Sequence, residues 1–131
     1  MTILYVDDDR DDREIFREAV KSIDETVVCL TANNGLEALS MLDLQNPLPD
    51  VVFLDINMPF MDGLTCLAEI KSNQKTAHLP VIIFTTSANP TEVAECKKSG
   101  AEDYIHKPVT YTHLTQTLAA IIKSGNSMFA H

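Results

Sequence analysis

The chain has 131 residues, 45% of them apolar, and 19 acidic against 10 basic side chains give a formal charge of −9. That length suits one domain with a core of its own, and no apolar run approaches the roughly 18 residues that would cross a bilayer. The acidic balance repels a phosphate backbone, so direct nucleic-acid binding is not expected.

The first strand-like run, residues 3–6, follows a start without a basic region and leads straight into Asp7-Asp8-Asp9, so it reads as a strand and not a secretory signal. A helix comes next, with Ile15, Phe16, Ala19 and Val20 on one face. Asp9, Asp11 and Asp12 stand at its start, where anions favour the positive end of the helix dipole. Residues 27–32 form the second strand, and Asn33-Asn34-Gly35 opens a helix carrying Leu36, Leu39 and Leu42. The third strand, 51–54, ends at Asp55 and leads to a helix marked by Leu64, Leu67 and Ile70.

The fourth strand, 81–84, ends at Thr85. Its helix opens with Asn89-Pro90-Thr91-Glu92: a cap residue, proline at the first helical position and glutamate three after the cap. That helix is thinly apolar, with only Val93, Ala94 and Cys96, and is expected to be the most exposed. The fifth strand, 104–105, leads to Lys107-Pro108 and a helix with Leu114, Leu118, Ile121 and Ile122. Residues 124–131 lack periodicity and read as a loose tail after a single domain over 1–123. Cys29, Cys66 and Cys96 include no Cys-x-x-Cys pair and fall in apolar segments, as buried thiols do in a reducing cytoplasm.

Five strands alternating with five helices predict a doubly wound α/β domain, whose helix-covered faces require continuously apolar central strands. In such sheets ligands bind beyond the carboxyl ends of the strands. Asp7-Asp8, Asp55, Thr85 and Lys107 each stand just past an apolar run, so parallel pairing would gather them at one edge. Three carboxylates forced together without a cation would raise one another's pKa. Magnesium resolves that conflict with hard oxygen ligands and exchangeable waters. Asp8, Asp55 and the Asn57 backbone carbonyl are the expected direct ligands, with Asp7 acting mainly through water. Asp55 is the candidate nucleophile, able to carry a phosphoryl group as an acyl phosphate. Lys107 would hold the phosphoryl oxygens as a compact charge, and Thr85 would donate its hydroxyl to them.

The segments Val6-Asp7-Asp8, Leu54-Asp55-Ile56-Asn57-Met58-Pro59 with Met61-Asp62-Gly63, Pro80-Val81-Ile82-Ile83-Phe84-Thr85, and Gly100-Ala101 through Tyr104 to Lys107-Pro108 resemble, in this order and spacing, the receiver domain of two-component response regulators. The similarity runs from about residue 2 to residue 123. It implies a five-stranded parallel sheet in order 2-1-3-4-5, with two helices on one face and three on the other. It implies Asp55 as phosphoacceptor, Asp7 and Asp8 as the acidic pair serving Mg2+, Lys107 as the phosphate-contacting lysine, and Thr85 and Tyr104 as the switch pair. The donor would be a sensor histidine kinase or a histidine phosphotransfer protein. The protein would not be a metabolic enzyme but would catalyse its own phosphorylation and dephosphorylation. The downstream protein target and oligomeric state, monomer or phosphorylation-dependent homodimer, stay open. The lengthened segment 71–79 is similar to a stand-alone subgroup, some of whose members pair with phytochrome-type kinases.

Thr86 stands where alanine or glycine is frequent in the family, and Asn57 lies two residues beyond Asp55. The bulk of Thr86 is expected to restrict access to the phosphoryl group, Asn57 to orient or impede the attacking water, and the phosphorylated state to be somewhat long-lived. The alternative is a magnesium-dependent phosphohydrolase using an aspartyl-phosphate intermediate. That chemistry wants a second carboxylate where Asn57 stands, and an asparagine cannot exchange the proton. A flavodoxin-like cofactor binder is disfavoured because Asp7-Asp8-Asp9 would repel the phosphate.

Overall fold

The structure is a computed structural model, and it describes residues 1–44, 47–87 and 89–128. In chain order the elements are β1 (Thr2–Val6), α1 (Arg10–Ile23), β2 (Val28–Ala32), α2 (Gly35–Leu44), β3 (Val51–Leu54), α3 (Gly63–Ser72), β4 (Val81–Thr85), α4 (Pro90–Lys98), β5 (Asp103–His106) and α5 (Tyr111–Met128). All five strands are parallel and lie in the order β2-β1-β3-β4-β5, as expected.

Side chains alternate across each strand, and the alternation divides the core into two layers. Ile3, Tyr5, Val51, Phe53, Ile82 and Phe84 pack on one face against Phe16, Ala19 and Val20 of α1 and Leu114, Leu118 and Ile122 of α5. Leu4, Val6, Val52, Leu54, Val81 and Ile83 face the other way. They meet Ala38 and Leu42 of α2, Cys66, Leu67 and Ile70 of α3, and Cys96 of α4. Burial on both faces is why β3 is wholly apolar, β4 is apolar until its last residue, Thr85, and β1 after Thr2 carries no polar group but the Tyr5 hydroxyl.

Several residues expected inside are not. Ile15 is 43% exposed, because Phe16, Ala19 and Val20 already fill the inward stripe of α1. Leu36 is exposed as well, since α2 turns Gly35, Ala38 and Leu42 inward, at spacings of three and four. Cys66 and Cys96 are buried but Cys29, on the edge strand β2, is only half-buried. Helix α5 continues to Met128, past the last apolar position that marks its face, so residues 124–128 are helical. The remainder of the expected tail, 129–131, lies outside the described residues.

Helix ends are closed by specific groups. Asp9 caps α1 by accepting from the Asp12 amide at 3.1 Å, and Asp62 caps α3 by accepting from Thr65 at 2.8 Å. Asn89 caps α4, with Pro90 in its first turn. At the other end of α4, Gly100 takes φ +100°, a left-handed conformation that costs glycine nothing. This lets the Gly100 amide donate to the Lys97 carbonyl at 3.1 Å and the Ala101 amide to Cys96 at 3.0 Å, a Schellman closure. Of α4's own side chains only Cys96 is buried, in agreement with its thin apolar pattern. Among the described residues no helix is long and apolar enough to cross a membrane.

Candidate functional site

The parallel register fixes where the strand ends fall. Val6 pairs with Ala32 on one side and Leu54 on the other, Leu54 pairs with Ile83, and Thr85 pairs with His106. The ladder runs one step further, with the Asp7 amide donating to Ala32, Asp55 to Val6 and Lys107 to Thr85, at 2.8–3.1 Å. Asp7, Asp55 and Lys107 are therefore set at one edge by backbone pairing alone. From that edge β1 leads to α1 on one face and β3 leads to α3 on the other. The chain diverges there, and a crevice opens between the two connections.

The carboxylates of Asp7, Asp8 and Asp55 each present an oxygen within 4.8 Å of the others. Asp7 is 1% exposed and Asp55 6%, whereas Asp8 is open to solvent. Lys107 extends its ammonium between the two buried acids, with Nζ 2.5 Å from Asp7 Oδ2 and 3.1 Å from both Asp55 Oδ2 and Asp12 Oδ2. Burial pulls the Lys107 pKa down. The hydrogen bond to Asp7 and the charges of Asp55 and Asp7 more than reverse that, so the net shift is upward and the ammonium stays charged.

This donor set fits a hard divalent cation. Three carboxylate oxygens converge, two of them from nearly buried residues, and the position already draws a positive charge in the form of Lys107. Asp7 is the most committed of the three, since its Oδ1 also accepts from the Asp9 amide at 3.0 Å. Asn57 is exposed, and its amide lies 3.4 Å from Asp55 Oδ1.

Thr85 closes β4 fully buried, with its hydroxyl oxygen accepting from the Ser87 amide at 3.3 Å. Tyr104 is half-buried against the α2–α3–α4 layer, and its hydroxyl donates to the Ser87 carbonyl at 2.7 Å. Burial raises the pKa of that hydroxyl, which keeps it a donor. Ser87 in turn donates its own hydroxyl to Glu92 Oε1 at 3.1 Å, tying the loop to the first turn of α4. Thr86 points outward. His78, His106 and His113 are exposed and take no part in the site.

Sequence reasoning missed three residues. Tyr5 donates its hydroxyl to Asp7 Oδ2 at 2.6 Å, Asp12 accepts from Lys107, and Arg13 Nη1 donates to the Asp7 carbonyl at 2.8 Å. A signal for Tyr5 existed: it precedes Asp7 by two along a strand, so both side chains leave the same face. The Asp12 and Arg13 contacts depend on how α1 leaves the sheet, which no local pattern specifies.

One backbone approach holds the edge together. Gly63 begins α3 with its amide 2.8 Å from the Ile56 carbonyl, and a Cβ at this position would lie 2.2 Å from the Asp55 carbonyl oxygen. Phe60, in the same loop, takes φ +69° and leaves its ring 86% exposed.

Several known proteins are similar to this chain. The sensor histidine kinase CheAY of Helicobacter pylori is 37% identical over 121 residues, which is 92% of this chain but 15% of that protein. The sensor histidine kinase RcsC of Salmonella typhi is 39% identical over 119 residues, 91% of this chain and 12% of that protein. The chain thus spans a small fraction of these kinases. The two-component response regulator ORR8 of Oryza sativa subsp. japonica is closer in size, at 36% identity over 107 residues, 82% of this chain and 86% of the relative.

Among solved structures, the Mn(2+)-bound form of response regulator Rcp1 superposes with a TM-score of 0.82 at 30% identity, covering 97% of this chain and 92% of that one. The phosphorylated cyanobacterial phytochrome response regulator RcpA gives 0.85 at 27% identity, covering 98% and 93%. The family model for the response regulator receiver domain matches residues 3–119, from the strand that ends at Asp7 into the helix that follows Lys107. On its strand order, its acidic edge and that match, the chain belongs to the response regulator receiver family.

Proposed function

We propose that the chain accepts a phosphoryl group from the histidine of a sensor histidine kinase or a histidine phosphotransfer protein onto Asp55, and signals through phosphorylation-dependent protein contacts or onward relay. The observation that carries this reading is the Lys107 ammonium held between the buried Asp7 and Asp55 carboxylates. In the transfer, an Asp55 oxygen bonds to phosphorus in line as the donor's phosphorus–nitrogen bond breaks. The released imidazole keeps the electron pair. Lys107 lies close enough to exchange its carboxylate contacts for the incoming phosphoryl oxygens. Asp8, Asp55 and the Asn57 backbone carbonyl would hold Mg2+, with Asp7 acting mainly through water. When bound, the ion neutralises charge that would otherwise build up between the carboxylates and the phosphoryl oxygens.

Thr85 then turns its hydroxyl from the Ser87 amide to the phosphoryl group, and the loop that carries Ser87 relaxes around Tyr104. The surface of α4, β5 and α5 changes with it and is where the target reads the state. A protein target and not a nucleic acid accords with the net charge of −9, and the proposal takes the receiver unit as residues 1–123, working in the cytoplasm.

The test is intact-protein mass after acetyl phosphate treatment, with and without Mg2+. The parent should gain one phosphoryl group, about 80 Da, only with the metal, and Asp55→Asn should gain none. A folded parent that stays unmodified under both acetyl phosphate and a phosphorylated histidine donor would refute the proposal.

A further inference from the structure

We propose that Tyr5 is a positioning residue of the acidic site, a fixed donor that orients the Asp7 carboxylate for the metal and keeps Asp7 Oδ2 bonded when Lys107 leaves it for the phosphoryl group. The inference rests on the reading of the site given above.

Three observations support it. Asp7 Oδ2 accepts two bonds, from the Tyr5 hydroxyl at 2.6 Å and from Lys107 Nζ at 2.5 Å, and Asp7 is 1% exposed, so water cannot readily replace either. The Tyr5 ring is itself immobile. It stacks on Phe16 with centroids 4.0 Å apart and planes 7° from parallel, and meets Phe84 edge-on at 6.0 Å. Finally, among the described residues Tyr5 is the one hydroxyl-bearing member of the hydrophobic cluster between the sheet and α1 and α5. Phenylalanine would fill that space equally well, so packing alone does not explain the oxygen.

The two donors on Oδ2 behave differently. Lys107 is a flexible stem that can swing to another anion, whereas the phenol is clamped and cannot follow. With both present, Asp7 is oriented from below by Tyr5 and shares Lys107 with Asp55 from above. Once Lys107 turns to a phosphoryl oxygen, Tyr5 is the remaining donor to Oδ2. Without its hydroxyl the buried oxygen would lose its last protein partner, and that oxygen would hold Lys107 back. Burial and the neighbouring carboxylates also raise the Tyr5 pKa, so the group remains a donor.

The experiment is Mn2+ titration followed by the electron paramagnetic resonance signal of free Mn2+, on the parent, Asp8→Asn, Tyr5→Phe, Lys107→Ala and the Tyr5→Phe/Lys107→Ala double variant. Tyr5→Phe keeps the ring and its stack, and far-UV circular dichroism reports folding separately. Partners that orient metal-ligand groups typically alter affinity by about tenfold or more, so Tyr5→Phe should raise the Mn2+ Kd about tenfold. The same substitution should cost more in the Lys107→Ala background, where Tyr5 is the sole side-chain donor to Oδ2. A purely structural tyrosine would lower the melting temperature and leave the Kd in place. A Tyr5→Phe Kd within twofold of the parent overturns the orienting role, and an equal or smaller effect in the double variant overturns the hand-over. If the parent shows no Mn2+ binding that Asp8→Asn weakens, the acidic-site reading itself fails.

Discussion

Substitution of Gly63 by alanine tests whether the phosphoacceptor edge depends on one close backbone approach. The added Cβ would lie 2.2 Å from the Asp55 carbonyl oxygen and 2.6 Å from Ile56 Cα. Neither atom belongs to a side chain that can rotate away, so β3 and the start of α3 must separate by roughly 1 Å to restore ordinary contact. Overpacking a rigid site costs about 3 kcal/mol at the upper end of the usual range. Stretching the 2.8 Å bond from the Gly63 amide to Ile56 adds about 0.5–1 kcal/mol. With an unfolding entropy of about 2.1 cal/mol/K per residue over the 131 residues, that total lowers the melting temperature by roughly 13–15 °C. A domain of this length has about 7–20 kcal/mol to lose, so the variant stays folded at 25 °C, and its rate of modification by acetyl phosphate should fall because Asp55 is displaced. Thermal melts by circular dichroism, run beside the mass assay, read both effects. Gly35→Ala is the control. The three atoms nearest its Cβ would all belong to the Met61 side chain, at 3.1–3.2 Å, which can rotate, and the helix position favours alanine. A Gly63→Ala melting temperature within about 4 °C of the parent would refute the argument, since that corresponds to about 1 kcal/mol.

Burial pushes the Cys66 thiol up to about 12, with Glu69 and Asp62 adding to the shift. A raised pKa means that the folded state keeps its proton after the unfolded state has released it, so stability is lost as pH rises from about 8.5 toward 12, by at most about 1.4 kcal/mol per unit. Urea midpoints between pH 8 and 10.5 should therefore fall less steeply in Cys66→Ala than in the parent, and equal slopes would count against the shift. Phe60→Gly should stabilise by about 0.5–1 kcal/mol, because it relieves left-handed strain on a ring that buries little. Phe60→Ala, which keeps the strain, should not raise the urea midpoint. Ser87→Ala removes the bond to Glu92 and should speed amide exchange in the first turn of α4 about fivefold, equivalent to about 1 kcal/mol, without changing exchange in β3.

The site was largely legible because it is built at strand ends. The Val51-Val52-Phe53-Leu54 run ending in Asp55, together with Ile3-Leu4-Tyr5-Val6 ending in Asp7, needed only parallel pairing in register to bring two carboxylates together. What stayed hidden depends on helix placement. Ile15 has the right type for the core of α1, but the rotation of the helix puts it on the rim. The Asp12 contact to Lys107 joins residues 95 apart, and Asp12 was assigned to the helix start because its local context offered that simpler role. The extension of α5 to Met128 escaped detection because helical periodicity reports a buried face, and residues 124–128 contain no repeating apolar stripe.

The way α4 is fastened has a mechanical consequence. Its side chains give it little adhesion to the body, with Cys96 alone buried, so its ends locate it. The trailing end is closed on itself by the Ser99, Gly100 and Ala101 amides and joined to the sheet at the next residue, where the Glu102 amide donates to the Val81 carbonyl at 2.8 Å. The leading end is joined to the Thr85 loop through Ser87 and Glu92. A nine-residue helix is about 13 Å long. It therefore behaves as a lever whose fulcrum is the glycine turn, and a 10° tilt sweeps its free arm through about 2 Å. The rotation of the Thr85 hydroxyl proposed above would be geared up along that arm into a displacement large enough for a partner's surface to feel.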